Sequence, residues 1–147
     1  MGGHSICGIS FSIGGFFQGY AEIELGCERG AWWERHRGFP GSSGRGFGWS
    51  VDRVLSGSEA AALKTALEDS GALRWRKEYW SPATDGEQWS LVVQFSDGST
   101  RKSDGSNMWP KGFDALFAQL VKLGFPCEFE GREDDTQHPR VRVRVSA

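Results

Sequence analysis

The residues that could carry out covalent chemistry are three cysteines, Cys7, Cys27 and Cys127, and two histidines, His36 and His138. A thiol beside a histidine is the arrangement of a cysteine nucleophile with its general base. Cys7 with either histidine would form such a pair, but no Cys-x-x-Cys, G-x-S-x-G or papain-type signature accompanies them. We therefore predict free thiols and no catalytic residues, and a small thiol-dependent hydrolase stays open as an alternative.

An acidic segment near the C-terminus offers carboxylates to a metal ion. Its members are Glu130, Glu133, Asp134 and Asp135, followed by His138. Structural zinc needs four ligands and calcium needs six or more oxygens, each at characteristic spacings. The segment matches neither pattern, and a solvated turn is the more usual role of such residues. We predict no metal and no cofactor, and a metal-dependent hydrolase is the corresponding alternative.

The tetrapeptide Ser-Asp-Gly-Ser occurs twice, at residues 96–99 and 103–106. A phosphate-binding P-loop needs G-x-x-x-x-G-K-[ST] directly before a helix, and an EF-hand loop needs three closely spaced acidic or amide residues. Neither pattern is present. The repeat therefore predicts turns, and anion binding at the start of the following helix is the alternative.

The two Asp-Gly pairs of this repeat are typical turn residues. Asp97-Gly98 follows an alternating apolar segment and predicts a hairpin turn. Asp104-Gly105 predicts a second turn. Ser106 or Asn107 is then the expected cap of a helix that begins near Pro110, since proline is favoured in the first helical turn.

Two segments, residues 31–37 and 73–80, interleave aromatic and basic side chains. Trp, Tyr and Arg are enriched at protein-binding hot spots, and aromatic-basic surfaces also bind single-stranded nucleic acid. If the first segment is a strand, one of the adjacent tryptophans must face outward. We predict one partner-binding surface from both segments, built from Trp32, Trp33, Arg35, Arg37, Trp75, Arg76, Tyr79 and Trp80.

A basic strand near the C-terminus is the second nucleic-acid candidate. Arg140, Arg142 and Arg144 alternate and would share one face. Glu128 and Glu130 alternate on the predicted partner strand, so cross-strand ion pairs are the expected use of these arginines. Because the net charge is −2, no general attraction to nucleic acid is expected. We predict a protein partner, with nucleic acid as the alternative.

Alternating apolar residues predict strands at the start, middle and end of the chain. Residues 6–25 predict a hairpin that turns at Gly14-Gly15, and residues 31–37 predict a third strand. Residues 89–95 form the clearest strand, and residues 73–80 a short strand or extended connection. A C-terminal hairpin is also predicted. Its inward residues are Cys127, Phe129, Val141, Val143 and Val145, and those of the first hairpin are Cys7, Ile9, Phe11, Ile13, Phe17, Ala21, Ile23 and Leu25.

Two helices are predicted from their end signals and apolar spacing. Ser56 and Glu59 have the spacing of a capping box, and Gly71 is placed to end the first helix. The second runs from about Pro110 to Leu123 and ends at Gly124. Its 3.6-residue apolar period is formed by Phe113, Leu116, Phe117 and Leu120.

The predicted order is β-β-(β)-α-β-β-α-β-β. This order predicts one α+β domain over residues 1–147, an antiparallel sheet with two amphipathic helices packed on one face. Residues 38–48 are rich in Gly and Ser and predict a flexible loop. We find neither an apolar run long enough for a membrane span nor the pattern of a secretory signal, so we expect a cytoplasmic protein. Because tryptophan is enriched at protein interfaces, the seven tryptophans also keep a homodimer open as an alternative.

The order of segments resembles that of the emfourin-like domains, small bacterial proteins whose named example inhibits a thermolysin-like metalloprotease. The segments that carry the resemblance span much of residues 5–123. They are Gly14-Gly15-Phe16, Glu59 to Leu67, Trp89 to Gly98, and Pro110 to Leu120. The chain departs from the family pattern in its tryptophan content, its Gly/Ser-rich loop and its C-terminal basic strand. The resemblance implies stoichiometric protein binding, as by an inhibitor or immunity-type factor.

Overall fold

A computed structural model describes residues 5–15, 19–39, 49–80, 87–106, 108–125, 127–132 and 139–143. The chain has an α+β fold, as predicted. A 3₁₀ turn, Ala72–Arg74, follows the first helix. The elements are β1 (Ile6–Gly15), β2 (Gly19–Glu28), β3 (Ala31–Phe39), β4 (Trp49–Val54), α1 (Gly57–Ser70), β5 (Glu78–Trp80), β6 (Glu87–Phe95), β7 (Thr100–Ser106), α2 (Phe113–Lys122), β8 (Cys127–Arg132) and β9 (Pro139–Val143).

Seven strands form one sheet in the order β4-β3-β2-β1-β6-β7-β5. Every neighbouring pair is antiparallel except β5 and β7, which are parallel. The strand β4 was not predicted. Moreover, β3 continues to Phe39, so residues 38 and 39 belong to a strand and not to the predicted loop 38–48. Residues 40–48 lie outside the described residues.

The first hairpin is longer than predicted. Gly14 pairs with Tyr20 and Gly15 with Gly19, so both glycines belong to β1 and the prediction that they form the turn was wrong. Glycine has the same backbone donor and acceptor as other residues, so it can pair within a β-sheet as well as form a turn. Residues 16–18, between the two strands, lie outside the described residues.

One face of the sheet is covered by both helices and holds the core. Alternate residues of the central strands are at most 3% exposed, and the predicted apolar face of α2 is fully buried against them. The aromatic rings of this core contact one another at centroid distances between 5.2 and 6.2 Å. The burial of Ile9, Phe11, Ile13, Ala21, Ile23 and Leu25 confirms their predicted inward orientation, and Trp89, Leu91 and Val93 of β6 are buried with them. Cys7, which was predicted to share this face, is half-buried, and Phe17 lies outside the described residues.

The ends of α1 follow the prediction. The Ser56 hydroxyl accepts a hydrogen bond from the Glu59 amide, and the Glu59 carboxylate accepts one from the Ser56 amide. Gly71 has a φ of 77° and its amide donates to the Glu68 carbonyl. The capping box and the terminal glycine therefore set the two ends of this helix, as their sequence spacing indicates.

The start of α2 differs from the prediction. The helix begins at Phe113, after Gly112, and has no side-chain cap. A β-carbon at Gly112 would collide with the Ser70 carbonyl, so this glycine allows α1 and α2 to meet closely. Ser106 belongs to β7, which excludes it as the predicted cap. The other predicted cap, Asn107, lies outside the described residues.

The second Asp-Gly pair is also part of a strand. Asp104 pairs with Ser90 and Gly105 with Trp89, so the prediction of a turn here was wrong. A β-carbon at Gly105 would collide with the Trp89 indole. The glycine is needed to admit that indole, and this packing prevails over the turn preference of Asp-Gly.

The C-terminal strands β8 and β9 pair as a separate antiparallel hairpin. Cys127 lies opposite Val143 and Phe129 opposite Val141, which agrees with the predicted pairing. The structure describes the backbone of these strands and not their side chains, so their inward orientation stays a prediction. Val145 lies outside the described residues. In the described part of the chain, no helix is long and apolar enough to cross a membrane.

Candidate functional site

The face of the sheet turned away from the helices carries small and polar side chains in its centre. The cross-strand register aligns one row through Tyr20, Gly14, Gln88, Ser106 and Trp80. A second, parallel row runs through Glu22, Ser12, Ser90, Asp104 and Glu78. Glycine and serine therefore form a low floor between larger residues on β2 and β5.

These rows form a groove of about 420 Å³. Tyr20 lines one side and Trp80 the other, and their side chains are 43% and 68% exposed. Four strand spacings separate β2 from β5, which corresponds to about 19 Å. Tyr20 and Trp80 are two of the four large apolar residues that the described chain exposes; the others are Val54 and Met108. A concave surface with exposed aromatic walls is typical of a binding site.

The charge of the groove is acidic. Among the lining residues that the structure describes, Glu78 and Asp104 are the charged ones, and both are acids. Asp104 has a distant partner outside the groove, the Lys102 ammonium at 3.8 Å. The groove therefore favours a cationic group of a ligand over an anionic one.

The wall formed by β5 is held firmly in place. The Tyr79 hydroxyl accepts a hydrogen bond of 3.0 Å from the Arg76 amide, and the Arg76 guanidinium lies 4.6 Å from the centre of the Tyr79 ring. The ring of Tyr79 also packs against that of Trp89, at 6.0 Å. Because β5 is the last strand of the sheet order, Trp80 lies at the edge of the sheet. The contacts of Tyr79 hold the backbone of this strand in place.

The residues of the predicted partner-binding surface are not brought together. Trp32 and Trp75 are each only 5% exposed and belong to the core, so their assignment to a surface was wrong. Trp75 is further held by a hydrogen bond of 3.1 Å from its indole to the Lys111 carbonyl. The alternation rule is confirmed for the adjacent tryptophans, because Trp32 faces inward while Trp33 is half-buried on the outer face, over Gly26.

The basic residues of β3 are neutralised by the neighbouring strands. Arg37 lies opposite Glu22 and its Nε donates to that carboxylate at 2.6 Å. Arg35 contacts Glu24 at 3.6 Å and Asp52 at 3.3 Å. Cross-strand pairs of opposite charge favour this register, and they leave no excess positive charge at Arg35 and Arg37.

The remaining surface residues form two groups. Trp33, Arg35 and Arg37 lie on β3, whereas Tyr79 and Trp80 lie on β5, five strand spacings away in the sheet order. That separation is about 24 Å. Arg76 stays with the second group through its contact with Tyr79. The two sequence segments therefore supply two separate surfaces, and only the β5 group borders the groove.

A buried charged cluster lies on the inner side of β3 and β4. Glu34 is 1% exposed; its carboxylate contacts the imidazole of His36 and lies 3.2 Å from Arg53. Arg53 also binds both oxygens of Glu59, at 2.9 and 3.1 Å, and donates to the Leu123 carbonyl. These contacts tie the sheet to the start of α1 and the end of α2, which gives the cluster a structural role.

The same cluster changes the protonation of its outermost acid. The Arg53 guanidinium, and next the Ser56 amide, lower the pKa of Glu59 to about 2. The hydrogen bond from Arg53 to Glu59 in turn raises the pKa of Arg53. Both groups therefore stay charged over the physiological range, and neither is suited to proton transfer near neutral pH.

The predicted catalytic and metal candidates are not assembled in the described residues. Cys7 lies on β1 and His36 on β3, two strands away. Its neighbour Gly8 aligns through Gly26 with Trp33, and His36 is about 10 Å further along β3. His138 and the acidic residues 133–135 lie outside the described residues. In the described residues, no group of three potential ligands could hold a metal ion.

The first Asp-Gly pair is a turn, as predicted. Gly98 has a φ of 91°, and the Asp97 carboxylate accepts hydrogen bonds from the Ser99 amide and hydroxyl at 2.9 and 2.6 Å. Both hydrogen bonds lower the pKa of Asp97, and the bond from the Ser99 hydroxyl has the larger effect. The carboxylate thus stabilises the turn between β6 and β7.

Sequence reasoning did not assign Tyr20 and the serines of the floor to the site. The available signal was the alternation in β2, which places Tyr20 on the same outward face as Glu22 and Glu24. Ser10 and Ser12 on β1 gave a second signal, because two small polar residues at alternate positions create a low surface. Neither signal reveals that β5 lies next to β7.

Comparison with protein-family models finds no match for this chain, and no curated protein shows significant similarity to it. The function must therefore be argued from the groove, and the resemblance to emfourin-like domains remains a hypothesis.

Proposed function

We propose that this chain is a non-enzymatic protein-binding module that receives its partner in the outer-face groove. The observation that carries the proposal is the exposure of Trp80 and Tyr20 on the two walls of one groove. Burying large aromatic side chains from both walls would supply the anchors that dominate protein interfaces.

The composition of the groove favours a partner segment that carries lysine or arginine. Glu78 and Asp104 supply negative charge, and Trp80 supplies an aromatic face for a cation. The floor of Ser12, Ser90 and Ser106 leaves space for the backbone of that segment. A phosphate backbone would meet two carboxylates here, so the groove supports a protein partner over the nucleic-acid alternative.

The resemblance to emfourin-like domains supports a narrower form of the proposal, a stoichiometric inhibitor or immunity-type factor. It rests on the segment order already described and on no shared residue role. Titration of a thermolysin-like metalloprotease with the full chain tests it. The inhibitor form predicts activity that falls linearly to an equivalence point near one to one, and a fully active protease in excess chain contradicts that form alone.

The general proposal is tested with groove variants and a matched surface control. The full chain, Trp80→Ala, Tyr20→Ala and Val54→Ala are immobilised and exposed to a lysate of the source cell, with and without nuclease. Val54 is the control because it is as exposed as Trp80 but lies at the other end of the sheet, on β4. We expect one protein retained at near-equal stoichiometry by the full chain and Val54→Ala, and lost from Trp80→Ala.

The affinity of the purified partner then measures the groove directly. Loss of a hot-spot aromatic costs about 2 kcal/mol or more, so Trp80→Ala should weaken binding by roughly 30-fold. Glu78→Lys should also weaken binding, because it reverses the charge that the partner meets. Equal affinity for Trp80→Ala, Tyr20→Ala and the full chain would refute the groove, and retention abolished by nuclease would favour nucleic acid.

A further inference from the structure

Strand β5 forms one edge of the seven-stranded sheet, and half of its backbone groups point away from the sheet. The Lys77 carbonyl accepts a hydrogen bond of 2.9 Å from the Asp104 amide, so the backbone groups of Lys77 face β7. Successive residues of a strand direct these groups to opposite sides. Tyr79 therefore also faces β7, whereas Glu78 and Trp80 direct their amides and carbonyls outward.

These outward groups are a template for a further strand. Among the strands that the structure describes, none lies beyond β5 in the sheet order. Glu78 and Trp80 together offer two donors and two acceptors, so an extended segment can form four hydrogen bonds with them. Peptide-binding domains often bind their ligands in this way, by adding the peptide to a sheet as a strand.

The side chains beside this edge determine which segment fits. Glu78 and Trp80 share the outer face, since alternate residues of a strand lie on one side, and both are exposed. Asp104 lies opposite Glu78 on β7, so two carboxylates border the edge. A basic side chain on an added strand would lie directly across from Glu78, and pairs of opposite charge stabilise this arrangement. The indole of Trp80 also attracts a cation.

The opposite edge of the sheet, formed by β4, differs in charge. Its Asp52 already contacts Arg35 at 3.3 Å, so this acid is neutralised by a neighbouring strand. The exposed side chain at the end of β4 is the apolar Val54. A basic segment is therefore favoured at β5 over β4.

We propose that the partner adds an extended segment, antiparallel to β5, to the free edge of this strand, with basic residues at alternate positions. This proposal rests on the proposed function, because the added strand borders the same groove. In antiparallel pairing, the residues opposite Glu78 and Trp80 carry the basic side chains and also form the four backbone hydrogen bonds. The rest of the segment is free to cross the floor of the groove.

The edge and the groove contribute differently to this binding. Because β5 has only three residues, its four hydrogen bonds mainly set the register and direction of the segment. The exposed aromatic side chain of Trp80 supplies the anchor, since such residues dominate binding energy at interfaces. Removal of the backbone bonds should therefore weaken binding measurably, without the complete loss expected when the anchor is removed.

The test uses synthetic peptides and the full chain. The probe is a fluorescent octapeptide that alternates arginine and valine and has blocked ends. One variant is N-methylated at its two central arginines, which removes amides that would bond to β5. The matched control is N-methylated at its two central valines, whose amides point away from β5 in the proposed pairing. Fluorescence anisotropy measures the dissociation constant of each peptide.

We expect the unmodified peptide and the valine-methylated control to bind alike. The arginine-methylated peptide should bind roughly tenfold more weakly, because each lost backbone hydrogen bond weakens binding by a factor of several. A peptide with glutamate in place of arginine should not bind. Amide hydrogen exchange should slow at Glu78 and Trp80 on binding, and should change little at Tyr79, whose backbone already faces β7.

Two substitutions at Glu78 give the same test from the side of the protein. Glu78→Pro and Glu78→Ala both remove the carboxylate, but only proline removes the outward amide. The pairing of β5 with β7 does not use that amide, and proline is tolerated at such positions of edge strands. We expect Glu78→Pro to bind the unmodified peptide roughly fivefold more weakly than Glu78→Ala, with similar thermal unfolding of the two variants.

Three results would overturn the edge proposal. Equal affinity of the two N-methylated peptides would do so, and if Trp80→Ala still weakens peptide binding, the groove itself stands. Weaker binding of the valine-methylated peptide would indicate parallel addition and contradict the antiparallel pairing. The third is the absence of binding to the intact chain at millimolar peptide. A lysate protein retained through Trp80 would then support the groove without the edge.

Discussion

The segments 31–37 and 73–80 have nearly the same mixture of aromatic and basic residues but occupy different environments. The first is a strand inside the sheet, between β2 and β4, and its outward arginines are paired with acids of both neighbours. The second ends as β5 at the sheet edge, where Trp80 is exposed. Sheet position, and not composition, decides which segment offers an accessible aromatic surface.

The difference shows what composition can say about binding. Each segment buries one tryptophan almost completely, Trp32 and Trp75. What remains outside is a neutralised patch in one case and an aromatic wall beside an acidic groove in the other. An interleaved aromatic-basic sequence is therefore a strong indicator of packing, and becomes an indicator of binding only where neighbouring strands leave its aromatics unpaired.

The largest effect is expected within the second segment. Trp75→Ala removes a buried indole that contacts Trp89 and Phe113 and donates a hydrogen bond to Lys111. It should lower the free energy of unfolding by about 4 kcal/mol. Trp80→Ala should change it by less than about 0.5 kcal/mol, because that side chain is already in solvent. Urea denaturation measures both free energies of unfolding. Similar losses of stability in the two variants would contradict the assignment of Trp75 to the core and of Trp80 to the exposed wall of the groove.

A comparable contrast is expected within the first segment, between the two faces of β3. Glu34→Ala leaves His36 and Arg53 without their shared buried carboxylate and should destabilise the protein by about 3 kcal/mol. Arg35→Ala breaks only exposed pairs and should cost less than about 1 kcal/mol. The same denaturation assay applies. A small loss of stability for Glu34→Ala would mean that water replaces the carboxylate. Charged residues on the inner face of β3 would then contribute as little to stability as those on the outer face.

Two glycines test how firmly the tryptophans of each face are held. Gly105→Ala forces a methyl group against the buried Trp89 and should lower the free energy of unfolding by about 2 kcal/mol. Gly26→Ala forces one against Trp33, which is only half-buried and can swing toward water. The cost there should be below about 1 kcal/mol, with a red shift of tryptophan emission. The reverse order of the two costs would show that Trp33 is the more rigid of the pair.

The smallest effect is expected from pH, at the cluster that anchors β3 and β4 to α1. The pKa of Glu59 is about 2 in the folded protein and 4.5 ordinarily. The unfolded chain therefore takes up this proton first as pH falls. The stabilisation is complete above pH 4.5 and is lost as pH falls toward 2. Solvent screens this carboxylate, which is about one-third exposed, so its contribution to the free energy of unfolding should be about 1 kcal/mol.

Glu59→Gln is the control for that pH dependence, since all carboxyls titrate in the same window. The difference in stability between the two proteins should be largest above pH 4.5 and should shrink as pH falls toward 2. A difference that stays constant with pH would mean that Glu59 acts through shape and neutral hydrogen bonds. The charge of Arg53 would then be satisfied by Glu34 and the end of α2.

The fold was largely predictable because its strongest signals are local. Alternation identifies β1, β2 and β6, and the capping box and Gly71 set the ends of α1. The strand β4 escaped prediction because its Arg53 points inward to Glu34, which removes the apolar alternation expected of a strand. Asp104-Gly105 was misread because only the tertiary structure shows that the Trp89 indole occupies the space beside Gly105.

The candidate site was predictable only in part. Tyr79 and Trp80 were assigned to a surface because their types are common at interfaces. Tyr20, on the opposite wall, was not, because the wall exists only when β5 pairs with β7 in parallel and β1 with β6. These pairings join segments far apart in sequence, and no local pattern encodes them.

The pairing of β1 with β6 has a consequence for how the chain folds. Among themselves, strands β1 to β4 pair only with their sequence neighbours, and β6 pairs with β7 through a tight turn. The seam between the two groups must close across most of the chain, since Ser5 reaches a partner 91 positions away. Loop-closure entropy makes such a step slow relative to hairpin formation. We therefore expect refolding to be limited by formation of the β1–β6 seam, with both hairpin groups formed earlier.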